Sequence, residues 1–197
     1  QLYDDVCALY NQEIETNGRK IINDLVESVD AFKSPTGWKG KDAGVQINNT
    51  IIAHNSVARV INKVGEIVVD LSKILVQLRA ITNANGAKAD ELVALNYENI
   101  VPLEEYSDSS DTIFISDNAT IAKEKLEKTK EVMDSFVNAI TISKGKIFEN
   151  WEMGETRELA LEAFIEAENT VKQAGATLNE VVESVKTAIS NWENFNL

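Results

Sequence analysis

The sequence predicts an all-α fold: two long helical hairpins that form a four-helix, coiled-coil-like bundle, joined by a loop-rich linker with room for a small β-hairpin. Three observations predict it. An apolar heptad runs through residues 41–83. Two short Trp- and Gly-bearing stretches, Gly37-Trp38-Lys39-Gly40 and Asn150-Trp151-Glu152-Met153-Gly154, each sit between long amphipathic runs, as the elbow of a helical hairpin would. The only prolines, Pro35 and Pro102, fall between those runs, where a missing N–H breaks no helix.

The first helix is expected over 2–33. Val6, Tyr10, Ile14, Ile21, Leu25, Val29 and Phe32 recur at spacings of three, four or seven, the face of a helix, and Gly18 interrupts it. Ser34-Pro35-Thr36-Gly37 ends it with turn residues. The second helix, 41–83, carries Ile47, His54, Ile61, Val68 and Leu75 at one heptad position and Thr50, Val57, Val64, Leu71 and Leu78 at the other. A period of 3.5 held that long is a seam packed on other helices. Residues 86–116 break the pattern with Asn, Pro, Ser and Asp. Ile100-Val101 and Thr112-Ile113-Phe114-Ile115 are β-prone and are expected to pair, and Lys88 to Leu95 suits a short helix. Asp117 or Asn118 is the expected cap of a third helix reaching about residue 143, with Ile121, Leu126, Val132, Met133, Phe136, Val137 and Ile140 as its apolar set. A fourth helix is expected from 155 to 195.

A shift of 114 lays the fourth helix on the second. Gly40 falls on Gly154, Ile47 on Leu161, Ile51 on Ile165, Val57 on Val171, Val64 on Leu178, Val68 on Val182, Leu71 on Val185, Leu75 on Ile189 and Leu78 on Trp192. Because the same register aligns the elbow glycines, it reads as an internal duplication. The organisation is then a first hairpin at 1–85, a linker at 86–116 and a second hairpin at 117–197. In a simple up-and-down bundle a few residues would join the second and third helices. The linker's 31 residues are instead enough to run back along the bundle, which predicts antiparallel hairpins with Trp38 and Trp151 near opposite ends.

Composition narrows the function. Hydrophobic residues make up 44% of 197, enough for a core, and the formal net charge is −13. That field repels phosphate backbones and anionic lipid, so nucleic acid and membrane surfaces are not expected partners. No run of 18 apolar residues exists, so no stable membrane insertion is expected. No signal-peptide pattern is visible, and a start at Gln1 is what processing would leave. The lone Cys7 forms no internal disulfide and suits a small core residue. A single histidine argues against a metal centre, no catalytic constellation is present, and no cofactor is implied. The acids Glu149, Glu152, Glu155 and Glu158 read as a solvated face.

Two helices joined by Trp38-Lys39-Gly40, near 100 residues per unit, resemble the WXG family of helical hairpins exported by type VII (Esx-type) secretion systems. Trp151-Glu152-Met153-Gly154 departs from the motif by one inserted residue. The resemblance implies a non-catalytic protein that binds other proteins, WXG-like chains or secretion-apparatus components. It also implies export to the medium or cell surface by a signal-peptide-independent route, the cytoplasm being the other location. Oligomers are compatible with it, as is a self-contained bundle. The family's export signal, a Tyr followed four residues later by an acid, is not matched: Val101 follows Tyr97 and Ser110 follows Tyr106. The partner-binding candidates are the elbow residues Trp38, Gly40, Trp151 and Gly154, where the indoles also plug the open ends of the hairpins. His54 and its repeat equivalent Glu168 are candidate pH-sensitive polar core residues. The other readings are a structural helical subunit of a phage particle or surface assembly, and a pore-forming helical toxin.

Overall fold

The computed structural model describes residues 2–83, 95, 98–107, 112–150 and 155–195. The first amphipathic run folds as α1 (Leu2–Ala8), a π-helical segment (Leu9–Gly18) and α2 (Arg19–Lys33). Its seven expected core residues are all buried. Gly18 does not break the run; the backbone there returns from the wide π turn to the α turn. The π segment ties side chains five residues apart: Tyr10 Oη donates to Glu15 Oε1 at 2.9 Å, and Thr16 Oγ1 donates to the Asn11 carbonyl at 2.6 Å. After the elbow strand β1 (Trp38–Lys39) comes α3 (Lys41–Asn83), about 65 Å long at 1.5 Å per residue. Strand β2 (Phe114–Ile115), α4 (Asp117–Asn150) and α5 (Glu155–Phe195) complete the chain.

The all-α bundle is as expected. Side-chain pairs fix the helix directions. Asn118 meets Ser34 and Lys125 meets Glu27, so α4 runs antiparallel to α2. Lys144 meets Glu168 and Lys186 meets Glu127, so α5 runs antiparallel to α4. Residues 63–74 of α3 face 159–166 of α5, whereas the elbow faces 188–195. Each of α2 and α5 therefore points toward the elbow, α3 and α4 point away, and every neighbouring pair is antiparallel. One core runs through all four helices, with Phe32, Phe136 and Phe164 the largest of its fully buried side chains. Among the described residues no helix is long and apolar enough to cross a membrane.

The heptad seam of α3 is buried from Ile47 to Leu71, Leu75 is partly buried, and Leu78 is 54% exposed. The polar seam member Thr50 is satisfied inside its own helix, donating to the Gln46 carbonyl at 2.9 Å. Ser28 and Thr129 do the same one turn back on α2 and α4. In α5 the seam is narrower in volume. Phe164, Val171, Leu178 and Val185 alternate with Ala160, Ala167, Ala174 and Val181, and small residues let helices approach closely. Of the positions aligned by the 114 shift, Leu161 is only half-buried and Ile165 is exposed, because Phe164 and Ala167 take the seam in the first turns of α5. α4 extends to Asn150, seven residues past the expected end. Its Ile121 is exposed while Ala119 and Ala122 face inward.

Because α3 and α4 both lead away from the elbow, the linker must return the whole way. It does so along the α2–α3 groove. Asn62, Asn55 and Asn48, seven residues apart on α3, each grip one linker residue through both backbone groups. Asn62 Nδ2 donates to the Ile100 carbonyl (3.0 Å) and Ile100 N–H donates to Asn62 Oδ1 (2.9 Å). Asn55 holds Leu103 the same way (3.0 and 2.8 Å), and Asn48 holds Tyr106 (both 2.8 Å). Farther along, Leu95 N–H donates to Ser72 Oγ at 3.0 Å. Seven helical residues rise about 10.5 Å and three extended residues cover about the same, so the two spacings keep step. Ile100, Leu103 and Tyr106 are half-buried, and Val101, Pro102, Glu104 and Glu105 between them are exposed. Pro102 sits where no linker N–H is needed.

Ile100 is thereby taken up by α3, so the expected pairing of Ile100-Val101 with residues 112–115 is not the one formed. The small sheet exists, but β2 pairs antiparallel with the elbow strand β1, Trp38 opposite Ile115. The short helix expected at Lys88 to Leu95 lies largely outside the described residues, as do Trp151 and Gly154. Cys7, expected in the core, is half-buried and free.

Leu71 is 3% exposed at the centre of the α3–α5 seam. Leu71→Ala should cost about 2–5 kcal/mol in chemical denaturation. A loss under about 1 kcal/mol would show that the seam phase is misassigned.

Candidate functional site

The first elbow is built by close backbone approach. Gly37 N–H donates to the Ser34 carbonyl at 2.8 Å as α2 ends. A Cβ at Gly37 would lie 2.4 Å from the carbonyl oxygens of Ala31 and Phe32, so only glycine fits. Trp38 follows, 3% exposed, its ring tilted against Phe32 at 5.8 Å. Gly40 has φ of +121°, which side-chain-bearing residues rarely adopt, and this turns the chain from β1 into α3. The start of α4 is fastened to the same elbow. Ser116 N–H donates to the Gly37 carbonyl at 3.1 Å, Ser116 Oγ to the Thr36 carbonyl, and Asn118 Nδ2 to Ser34 Oγ at 3.1 Å. The helix thus opens after Ser116, one residue before the expected cap.

The end of α5 closes against this junction. Phe114 meets Trp192 edge-on at 5.7 Å, and Trp192 stacks with Phe195 at 6.4 Å. Between the elbow, Ile113 and the last turns of α5 lies an open groove of about 800 Å³. Trp38, Ile115 and Ala188 line it, Lys39, Lys41 and Asp42 stand at its elbow side, and Trp192 and Phe195 form the opposite wall. Ile113 is 75% and Phe195 82% exposed. Two of the most exposed apolar side chains, Ile113 and Phe195, therefore flank one groove at the elbow end of the bundle.

Trp38 and Gly40 meet at this groove. Trp151 and Gly154 lie outside the described residues, and of the acids around them Glu149 and Glu158 are exposed. His54 and Glu168 occupy different neighbourhoods. His54 is 1% exposed, and its Nδ1 hydrogen-bonds Asn55 Oδ1 at 2.9 Å. Glu168 pairs with Lys144 at 2.6 Å across the α4–α5 face. Among the described residues no group of three or more His, Cys, Asp or Glu is placed to hold a metal. A second, smaller groove of about 350 Å³ between α3 and α5 has the acids Glu66, Asp70, Glu162 and Glu166 with Lys63 around an apolar floor of Leu71, Ala160 and Ala163. The three Asn rungs were not among the residues singled out by sequence, yet the signal was present: asparagine every seventh position, on a stripe beside the aliphatic seam.

Burial pushes the His54 imidazole below its ordinary 6.5, and the hydrogen bond to Asn55 works in the opposite direction. The unfolded chain takes up this proton below about pH 6.5 while the folded chain resists. The contribution of His54 to stability is therefore full above that pH and is lost as pH falls toward the folded value. The stability difference between the parent and His54→Gln should shift against the parent between about pH 8 and about pH 5. Parallel denaturation curves with a constant difference would contradict it. Gly37→Ala should cost about 1–3 kcal/mol or more, since the clash is with backbone, and an unchanged melt would show that the elbow relaxes freely.

Compared with known proteins, the chain matches no family model, no curated protein and no solved structure.

Proposed function

We propose that the protein is a non-catalytic protein-interaction module of the WXG hairpin type, and that the groove at the Trp38-Lys39-Gly40 elbow is its contact surface. The observation that carries this reading is the clustering of exposed Ile113 and Phe195 around an 800 Å³ groove, on a chain whose formal charge is −13. The groove between α3 and α5 also exposes Ile74 and Leu159, but four acids, Glu66, Asp70, Glu162 and Glu166, ring it and favour solvent over contact. At the elbow a rigid floor of Trp38 and Ile115 is flanked by aromatic side chains, the composition that interface centres favour. The floor is preorganised by the β1–β2 pair and the Gly37–Ser116 bond, so a partner would meet little ordering cost. The partner class is an amphipathic protein segment, and a second WXG-like chain fits it.

Internal duplication of one hairpin, with Val57 and Val171, Val64 and Leu178, and Leu71 and Val185 as equivalent seam positions, is part of the same reading, and all six are buried. So is export by a signal-peptide-independent route, in which a partner supplies the Tyr-based signal that Tyr97 and Tyr106 do not match.

A photo-crosslinking residue at position 113 should capture a discrete protein in an extract of the native source. Phe195→Ser should abolish that capture while changing stability by no more than about 0.5 kcal/mol, as for an exposed site. Capture that survives Phe195→Ser, or that yields only diffuse products, would overturn the elbow groove as the contact surface.

A further inference from the structure

The linker is held in the manner of a bound peptide. Six of its hydrogen bonds come from three asparagine amides, each joined to the main-chain N–H and C=O of one linker residue. Such contacts read backbone, not side-chain identity, as an added strand does at a sheet edge. Selectivity is left to Ile100, Leu103 and Tyr106, half-buried in the groove between α2 and α3. The α2 wall grips the ends of the same segment. Arg19 Nη2 donates to the Glu98 carbonyl at 2.7 Å, and Lys33 Nζ lies 5.5 Å from the centroid of the Tyr106 ring. The central rung is itself oriented by buried His54, bonded to the same Asn55 oxygen that accepts from Leu103.

We propose that the α2–α3 groove is a peptide-binding site, distinct from the elbow groove. Its ligand is an extended polypeptide with an apolar residue at every third position, and residues 98–107 are the occupant that fills it in cis. Three features support a separable ligand over a mere loop. The heptad rise of α3 matches three extended residues, so the asparagine stripe selects backbone shape over about 20 Å. Every residue of 98–107 outside the 100, 103, 106 set is exposed, so the segment adds no other layer to the core. Between the anchors no backbone donor is required either, since Pro102, which has no N–H, stands there. Tethering gives the cis segment a high effective concentration, so a free peptide competes only when the cis anchors are weakened.

The test uses the full chain and a labelled synthetic peptide with the sequence of residues 98–107. Parent protein should bind it poorly. The double variant Ile100→Ser/Leu103→Ser keeps all three rungs, and it should bind at least about ten-fold more tightly than the parent. Adding Asn55→Ala and Asn48→Ala should remove that gain. A folded double variant with no binding, or binding indifferent to loss of the rungs, overturns the proposal. Should the double variant fail to fold, amide exchange on a single rung variant decides. Asn55→Ala should speed exchange at Leu103 about ten-fold or more while leaving Leu178 in the α5 core unchanged. Equal acceleration at Leu103 and Leu178 would show the linker to be an inseparable part of the core, and the peptide site would not stand.

Discussion

A single constraint organises this chain: each long helix lies antiparallel to both of its neighbours. With α3 and α4 both leading away from the elbow, their connection must span most of the bundle. An extended strand laid on helices has no ladder to satisfy its backbone, and unsatisfied backbone groups are costly when removed from water. The asparagine stripe of α3 resolves this at every third residue, where the linker turns inward. The intervening residues face solvent and need no protein partner. The long crossover is thus held by hydrogen bonds spaced to the helix, together with the half-buried side chains of Ile100, Leu103 and Tyr106.

The returning linker then fixes the elbow. Beyond Tyr106, its next described residues lead into β2, which pairs with β1 and delivers Ser116 to the Gly37 carbonyl. The start of α4, distant in sequence, there meets the end of α2 and the entry to α3. Only Gly37 tolerates the carbonyls packed against it, and only a residue like Gly40 takes the positive φ that follows. The buried indole of Trp38 fills the space opened where α2 and α3 diverge. This junction is rigid by construction, and the aromatic end of α5 leans on it from the other side.

Much of the architecture was legible. The bounds of α3 and α5 follow directly from their heptads, and the seven inward residues of the first run from their spacing. The length of the linker relative to a short turn indicated the crossover. What the heptad could not show was which apolar residues share β2's fate: Thr112-Ile113-Phe114-Ile115 reads as a strand, but its partner is set by tertiary geometry that brings the elbow to it. Periodicity also failed at Leu78, which continues the pattern near the end of α3, and at Ile121 and Ile165, where Ala119 and Ala122, and Phe164 and Ala167, take the inward positions. The π segment left no signal beyond a run of four-residue spacings. At the candidate site, Trp38 and Gly40 were visible from the motif, whereas Phe195, Ile113 and the asparagine rungs required knowing what lies beside them.

The two hairpins share a seam but not an outer face, and this asymmetry explains why the linker lies where it does. In the proposed duplication register, Asn48, Asn55 and Asn62 correspond to Glu162, Asn169 and Ala176, all exposed. At those positions α5 carries one asparagine of three. A linker laid there would lose two of its three backbone grips and meet a carboxylate at one rung and a methyl at another. The seam, which is apolar on both hairpins, specifies that four helices pack. The asparagine stripe, which does not repeat, specifies which groove the crossover enters and so which of the possible bundle topologies the chain adopts. A few polar residues on the rim of an otherwise degenerate heptad pattern are enough to choose among alternatives of similar apolar burial.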